Sequence, residues 1–441
     1  MPTREKIIRD PLYNYISLDE PWLIELIDTR EVQRLRRIHQ LGVSHFTYPG
    51  ADHSRLSHTL GVMHLMRQVL NRLERCEPGP RLGLAKTQLL AAAILHDVGH
   101  GPFSHLFEPL LGINHEEWSC RIIESNATEV NRVLTKHEIP VGDVVALIKE
   151  KNREKPPWQK TLLSSELDVD RLDYLRRDSY FTGAGYGHFD WYRILNTVSL
   201  VEKDSSMVLA WPDSAKFAIE EYIFARFYMY QNVYQHKTTR GFEKLIHAAW
   251  RRAEQLETER GAPQFIPEIQ QFRNAKKESK ETIEQYLALE DSTLVYQLIV
   301  WSRHPDSVLA DLATRFVTRR KFKAVNDPVP EGAIDGVRET WEEALRELVK
   351  KKGYNLPEYY ALRDDRLKQT VYDPYAPEKE KKEQDPYNAI LIDLGTVPTE
   401  ISEVLTRLQA VTGERPKRNR YYVPEDVSEE ARQLAESGSW K

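Results

Sequence analysis

The chain has little cysteine, no strong net charge and no long apolar run, and each shortage removes a class of function. Two cysteines in 441 residues, Cys76 and Cys120, allow at most one bridge, and neither has Cys-x-x-Cys spacing, so a disulfide framework and a zinc ribbon are excluded. A net charge of −5 supplies no basic field of the kind duplex-binding domains carry, and nucleic acid is not expected as a partner. No stretch approaches the ~20 apolar residues that a membrane helix needs. The apolar segment Leu294–Trp301 is interrupted by Gln297, and the opening Met-Pro-Thr-Arg-Glu-Lys has no signal-peptide core. These absences lead to the expectation of a cytoplasmic protein without membrane contact.

What is present is helical periodicity that runs into polar residues. In Leu89–Pro102, Leu89, Ala92, Ala93 and His96 recur at helical spacing, so an apolar stripe ends in the adjacent pair His96-Asp97. Upstream, His58 begins a face continued by Val62, Leu65 and Val69. Downstream, Asp170, Tyr174 and Asp178 share a face at i, i+4, i+8. Burying such groups unpaired would cost several kcal/mol, so a cation is expected to bind them. Two imidazoles and two carboxylates from three helices suit a divalent transition metal (iron, manganese, cobalt, nickel or zinc) and leave positions open for water.

Helical patterning extends from Trp22 to about Glu257, broken at Pro49-Gly50, Pro78-Gly79-Pro80, Gly101-Pro102, Pro156-Pro157 and Gly183–Gly187. Residues 263–291 are polar and are expected to hold a surface helix. Ser292 reads as the N-cap of an apolar helix through Trp301, and Asp306–Arg320 as another helix. Asp373–Gln384 is charged and proline-bearing, the composition of an exposed loop. Ala389–Leu394 reads as a strand, followed by a helix from Thr399 to about Thr412. The expected fold is mainly α, with a helical core over residues 1–325 and a small C-terminal α/β lobe over 326–441. The clusters Arg34/Arg36/Arg37 and Arg319/Arg320/Lys321/Lys323 fit either solvated helix faces or phosphate grips.

The order His58, His96-Asp97, Asp170 resembles the HD-domain phosphohydrolase superfamily, and the block Gly-His-Gly-Pro-Phe-Ser-His (99–105) is similar to its dNTP triphosphohydrolase branch. That branch includes bacterial dNTPases and the core of the vertebrate enzyme that adds a sterile-alpha-motif domain. The similarity runs from about Lys6 to beyond Lys323, with a weaker echo near Tyr387–Leu394. It implies a helical HD core with His58, His96, Asp97 and Asp170 as metal ligands, His105 protonating the leaving group, and His100 and His115 supporting it. Arg55, Arg171 and Arg226 match triphosphate contacts, although Arg171 stands where the family has lysine. Gln40, Leu41, Tyr174, Asp178, Tyr234 and Gln235 match residues around sugar and base. Asp28, Gln33 and Arg36 resemble a guanine-reading allosteric set, joined by Lys6 and, from a neighbouring subunit, Arg319 and Lys323. The resemblance thus implies dNTP substrates, Mg2+ on their phosphates, a guanine nucleotide activator and a homo-oligomer, dimer or tetramer. A phosphodiesterase or nuclease acting on cyclic nucleotides or single strands, and a nucleotide-sensing regulator with a vestigial site, are the alternatives.

Overall fold

Residues 6–76, 82–149, 157–275, 280–330, 336–364, 375, 389–410 and 419–440 are described by the computed structural model of the chain, and helices dominate them. The N-terminus forms an antiparallel hairpin, β1 (Lys6–Asp10) and β2 (Asn14–Leu18). Its turn is set by Asp10, whose Oδ1 accepts from the backbone of Leu12 and Tyr13. Short helices α1 (Pro21–Ile27) and α2 (Arg30–Arg34) lead into α3 (Arg55–Glu74) and α4 (Leu84–Leu95). Next come α5 (Glu108–Leu111), α6 (His115–Glu124), α7 (Glu129–Lys136), α8 (Val141–Lys149), α9 (Trp158–Leu163), α10 (Val169–Thr182) and α11 (Trp191–Thr197). α3 packs along both α4 and α10, which brings the three expected ligand-bearing segments together.

A second hairpin, β3 (Ser199–Lys203) and β4 (Ser206–Pro212), interrupts what sequence periodicity reads as helix. Asp204 and Ser205 both take positive φ, +50° and +60°, the backbone of a tight hairpin turn whose twist suits the strands. Helix α12 (Lys216–Met229) then passes through one π-helical turn at Tyr230–Tyr234 before α13 (Lys237–Arg260). The polar stretch 263–291 holds two helices, α14 (Pro267–Asn274) and α15 (Lys280–Leu287), and buries Ile269, Phe272 and Tyr286.

α16 (Asp291–Trp301) is capped by Glu290 in a reciprocal box with Thr293, two residues before the expected cap, and Ser292 donates to Glu290 Oε1 instead. α17 (Ser307–Val317) starts at Asp306, whose carboxylate accepts from Leu309 N.

The C-terminal segment contributes β5 (Lys323–Asn326), α18 (Val337–Lys351), β6 (Leu362–Asp364), β7 (Leu391–Asp393), β8 (Thr399–Glu400), α19 (Ile401–Val404), β9 (Arg420–Val423) and α20 (Ser428–Ser437). The expected division at 325/326 falls inside β5, which pairs with β9. β7 pairs in parallel with β4, and one apolar core runs through both sides of that division. The helix expected over 399–412 is a short strand, α19 and a 3-10 turn at Thr406–Ala410. Its last two residues lie outside the described residues, as does most of the loop expected at 373–384. Tyr375 in that loop is buried against Glu400. No described helix is long and apolar enough to cross a membrane.

Candidate active site

The Ser54 side chain accepts from Ser57 N and starts α3, placing Arg55 and His58 in its first turn, both buried. α4 ends at Leu95, so His96 stands at its C-cap with Asp97 beyond it. Asp168 caps α10 by accepting from Arg171 N, and Asp170 occupies the first turn. His58 Nε2 lies 2.9 Å from Asp170 Oδ1, and His96 Nε2 lies 3.7 Å from the same oxygen and 3.4 Å from Asp97 Oδ1. His96 Nδ1 is held by Ala93 O at 3.0 Å, whereas its Nε2 is buried without a hydrogen-bond partner. One ligand atom each from His58, His96 and Asp97 fall within 4.8 Å of one another, so the donor set fits a metal ion. Burial works against charge on His58, yet Asp170 and Asp173 outweigh it and raise its pKa to about 10. Burial likewise opposes ionisation of Asp97, and Arg55, His96 and His100 hold that carboxyl well below its usual range.

Two sets of residues that sequence reasoning missed hold this centre in place. Asp173 accepts from Tyr13 Oη and Arg177 Nε, both at 2.8 Å, and lies 2.8 Å from His58 Nδ1; Arg177 also reaches Asp10 Oδ2 at 2.9 Å. A carboxylate behind a ligand histidine fixes the ring and its tautomer. Gly61 makes room for it, since a Cβ there would lie 1.9 Å from Asp173 Oδ1. The turn carrying His96–His100 is tied down by Ser119 Oγ on His96 O, Tyr286 Oη on Gly99 O (2.6 Å) and Arg34 Nη1 on His100 O (2.8 Å). Arg34 is thus a buried strut, not part of a surface charge cluster.

Beside the HD centre, His105 Nδ1 and His115 Nδ1 converge on Glu108 Oε1 at 2.7 and 2.9 Å. His100 stacks on His115 with ring centroids 4.0 Å apart and places Nε2 3.3 Å from Asp97 Oδ1. Burial lowers the pKa of His100 and of His105, while the two histidine bonds overcome burial to lower that of Glu108. The chain between His100 and His105 passes through Phe103 and Ser104 at φ +50° and +56°, a strained turn for residues with side chains.

The arginines form a third layer. Arg55 contacts Asp97 and donates through Nε to Ser104 Oγ at 2.7 Å; Arg171 Nη1 pairs with Asp168 at 2.5 Å, and Arg226 Nη1 with Glu166 at 2.6 Å. Each keeps one buried nitrogen without a hydrogen-bond partner among the described residues: Arg55 Nη2, Arg171 Nε and Arg226 Nε. Tyr174 is buried, with its ring 6.5 Å from His58 and 6.2 Å from Tyr234. Asp178 is occupied by His53 Nε2 and Tyr234 Oη, both at 2.8 Å, so it positions Tyr234. Gln40 and Leu41 are buried, and Gln40 Oε1 has no hydrogen-bond partner. Gln235, half-buried, closes the π turn.

The residues expected to read guanine lie at the surface. Lys6 Nζ pairs with Asp28 at 2.9 Å, Arg36 Nε donates to Gln33 Oε1 at 2.7 Å, and Gln33 Nε2 donates to Ile27 O at 2.8 Å. Arg319 donates to Phe46 O, and Lys323 pairs with Glu425 at 2.6 Å.

Known proteins resemble this chain in sequence and fold. The family model for the HD domain matches residues 55–178. The chain is 36% identical to the Bacillus subtilis protein YwfO over 96% of its own length and 93% of that protein's. It is 28% identical to the human deoxynucleoside triphosphate triphosphohydrolase SAMHD1, over 79% of this chain and 59% of that one. Its structure superposes on that of a phosphohydrolase from Bacteroides thetaiotaomicron with TM-score 0.77 and 27% identity, covering 96% of this chain and 100% of the other.

Proposed function

Because the chain belongs to the HD-domain family of phosphohydrolases, we propose that it is a metal-dependent dNTP triphosphohydrolase, activated by GTP or dGTP within a homo-oligomer. The observation that carries this reading is the set of buried donors without protein partners: Arg55 Nη2, Arg171 Nε and Arg226 Nε around a centre where His96 Nε2 is also unpaired. Leaving such donors dry costs about 1–3 kcal/mol each, a loss that a bound triphosphate and a metal ion recover. An iron-, manganese-, cobalt-, nickel- or zinc-class ion on His58, His96, Asp97 and Asp170, with Mg2+ on the phosphates, would lower the pKa of a water and polarise a phosphoryl oxygen.

The chain's own groups do the remaining work. The three arginines neutralise the triphosphate. When water attacks the α-phosphorus, a new P–O bond forms and the bond to the 5′-oxygen breaks; His105 gives that oxygen a proton, and the proton shed by the attacking water passes through solvent and restores His105. Glu108 and His115 keep the His105 ring in line. The Tyr174 ring packs against C2′ and excludes a ribose hydroxyl, while Gln40, Leu41, Tyr234 and Gln235 border the base and 3′-hydroxyl. Lys6, Asp28, Gln33 and Arg36 receive the activator, with Arg319 and Lys323 coming from a neighbouring subunit. The likeness to human SAMHD1, a deoxynucleoside triphosphate triphosphohydrolase, supports the substrate class.

The test is to incubate purified protein with each dNTP alone and with all four mixed, with and without GTP, and to separate products by ion exchange. Deoxynucleoside plus intact triphosphate is expected. Monophosphate plus pyrophosphate, or turnover of cyclic nucleotides with none of dNTPs, would overturn the reading.

A further inference from the structure

His39, His45 and Asp52 lie in the loops between α2 and α3, and the HD chemistry above uses none of them. His39 follows a short 3-10 turn and bridges to Ser54; His45 sits in a second 3-10 turn, Gly42–Phe46. One ligand atom from each of the three lies within 4.8 Å of the others. Two details separate this cluster from a chance gathering of polar groups.

Asp291 is buried and fixed, with Oδ2 accepting from His39 N at 2.8 Å and Oδ1 from Phe103 N at 2.5 Å. The same Oδ2 lies 2.5 Å from His39 Nδ1. A carboxylate on Nδ1 is what orients a metal-ligating imidazole, because it keeps the proton there and turns the Nε2 lone pair outward. His39 Nε2 stands 3.4 Å from Asp52 Oδ1. The other detail is His45, whose ring lies 5.2 Å from that of His39 and whose buried Nδ1 makes no hydrogen bond of ordinary geometry among the described residues, with only the Gly42 backbone near the ring.

We propose that His39, His45 and Asp52 form a second metal site, for a divalent ion of the zinc class. Two imidazoles and one carboxylate are borderline donors that favour zinc, cobalt or nickel over magnesium, and three protein ligands leave a fourth position for water or a ligand oxygen. Asp52 is 67% exposed, so an ion enters from solvent without moving the core. Without an ion, the hydrogen bond to Asp291, helped by the charge of Asp52, holds the His39 pKa above its ordinary value against the pull of burial.

The site is wired to the catalytic layer. Ser104 Oγ donates to His39 O at 2.8 Å and accepts from Arg55 Nε, and Asp291 grips Phe103 N in the strained turn before His105. An ion on His39 therefore stiffens the segment that carries the proton donor.

Metal stoichiometry tests this without an activity assay. Protein freed of metal with a chelator, then returned to chelator-free buffer, is titrated with Zn2+ against a chromophoric indicator and with Co2+ followed by its visible bands. Asp52→Asn and His45→Gln should each lower uptake by one ion per chain or weaken that ion roughly tenfold or more. His96→Ala should remove a different ion and leave this one. Asp52 is exposed, so its variant is expected to keep the wild-type melting curve and to remain interpretable if His45→Gln unfolds. Uptake by Asp52→Asn equal to wild type in number and affinity would overturn the second site whatever happens at the HD centre.

Discussion

The HD centre and the Lys6/Asp28/Gln33/Arg36 patch gather similar polar groups and treat them in opposite ways. In the centre the side chains are largely covered, and four nitrogens, on His96, Arg55, Arg171 and Arg226, find no hydrogen-bond partner among the described residues. At the patch, Lys6 takes Asp28 and Arg36 takes Gln33, at the protein surface. Under cover, an unpaired donor is costly enough to mark a place made for something else. At the surface, pairing is cheap to make and to break, and a nucleotide there has only to exchange one weak partner for another. What a protein leaves unsatisfied under cover is thus more telling than how many charges it assembles.

Substitutions at the centre give the largest effects and also split it. His96→Ala and Asp97→Ala should both fall to the floor of a dNTPase assay and lose bound transition metal, read by elemental analysis. Their stabilities should differ. Asp97→Ala strands the buried Arg55 guanidinium and should cost about 3–5 kcal/mol in urea unfolding, against about 1 kcal/mol for His96→Ala, whose Nε2 has no partner to lose. Wild-type protein that is free of transition metal yet hydrolyses dNTPs would dissolve the distinction between centre and patch.

His105→Ala should lower kcat roughly 100-fold with metal content unchanged, the loss expected for a general acid, and Glu108→Gln should follow it more mildly. A metal-depleted His105→Ala protein would move His105 from proton donor to scaffold.

Asp28→Ala should abolish the response of turnover to GTP or dGTP, measured alongside light scattering. Its stability should shift by less than about 1 kcal/mol, since the Lys6 pair is exposed. Equal rates with and without guanine nucleotide in wild type would reduce the patch to a charged surface.

An effect read from pH is expected at a pair that is both buried and satisfied, Arg240 with Asp364 on β6, whose carboxyl Arg240 and Lys244 hold below its usual pKa against the pull of burial. A depressed carboxylate stabilises fully above its unfolded pKa of about 4 and loses that contribution as pH falls through the lower folded value. The stability gap between wild type and Asp364→Asn, followed by thermal melts, should therefore be constant near neutrality and close below about pH 4. A gap that widens in acid would contradict the assignment.

The segments that meet at the HD centre were legible because helical spacing exposes them: His58 and Asp170 lie in first turns and His96 follows the apolar stripe of α4. Glu108, Asp173 and Arg34 were not, since their importance comes from meeting residues distant in sequence, and a lone Glu or Arg in a helical pattern reads as solvent-facing. The β3–β4 hairpin escaped because Met207–Trp211 is a buried apolar run that periodicity alone cannot separate from helix. The pairing of β7 with β4 was not legible either, because nothing in the sequence of the C-terminal segment announces it.

The π turn at Tyr230–Tyr234 leaves a mark on how this gene can vary. Gln235 N reaches back five residues to Tyr230 O, so the turn holds one residue more than an α-helix would. Removing a single codon there would close the turn to ordinary winding and draw Tyr234 out of the position that sets its hydroxyl on Asp178. Substitutions along that stretch trade one side chain for another, whereas a one-residue deletion removes the wide turn itself, so this segment should tolerate a change of length less well than a change of spelling.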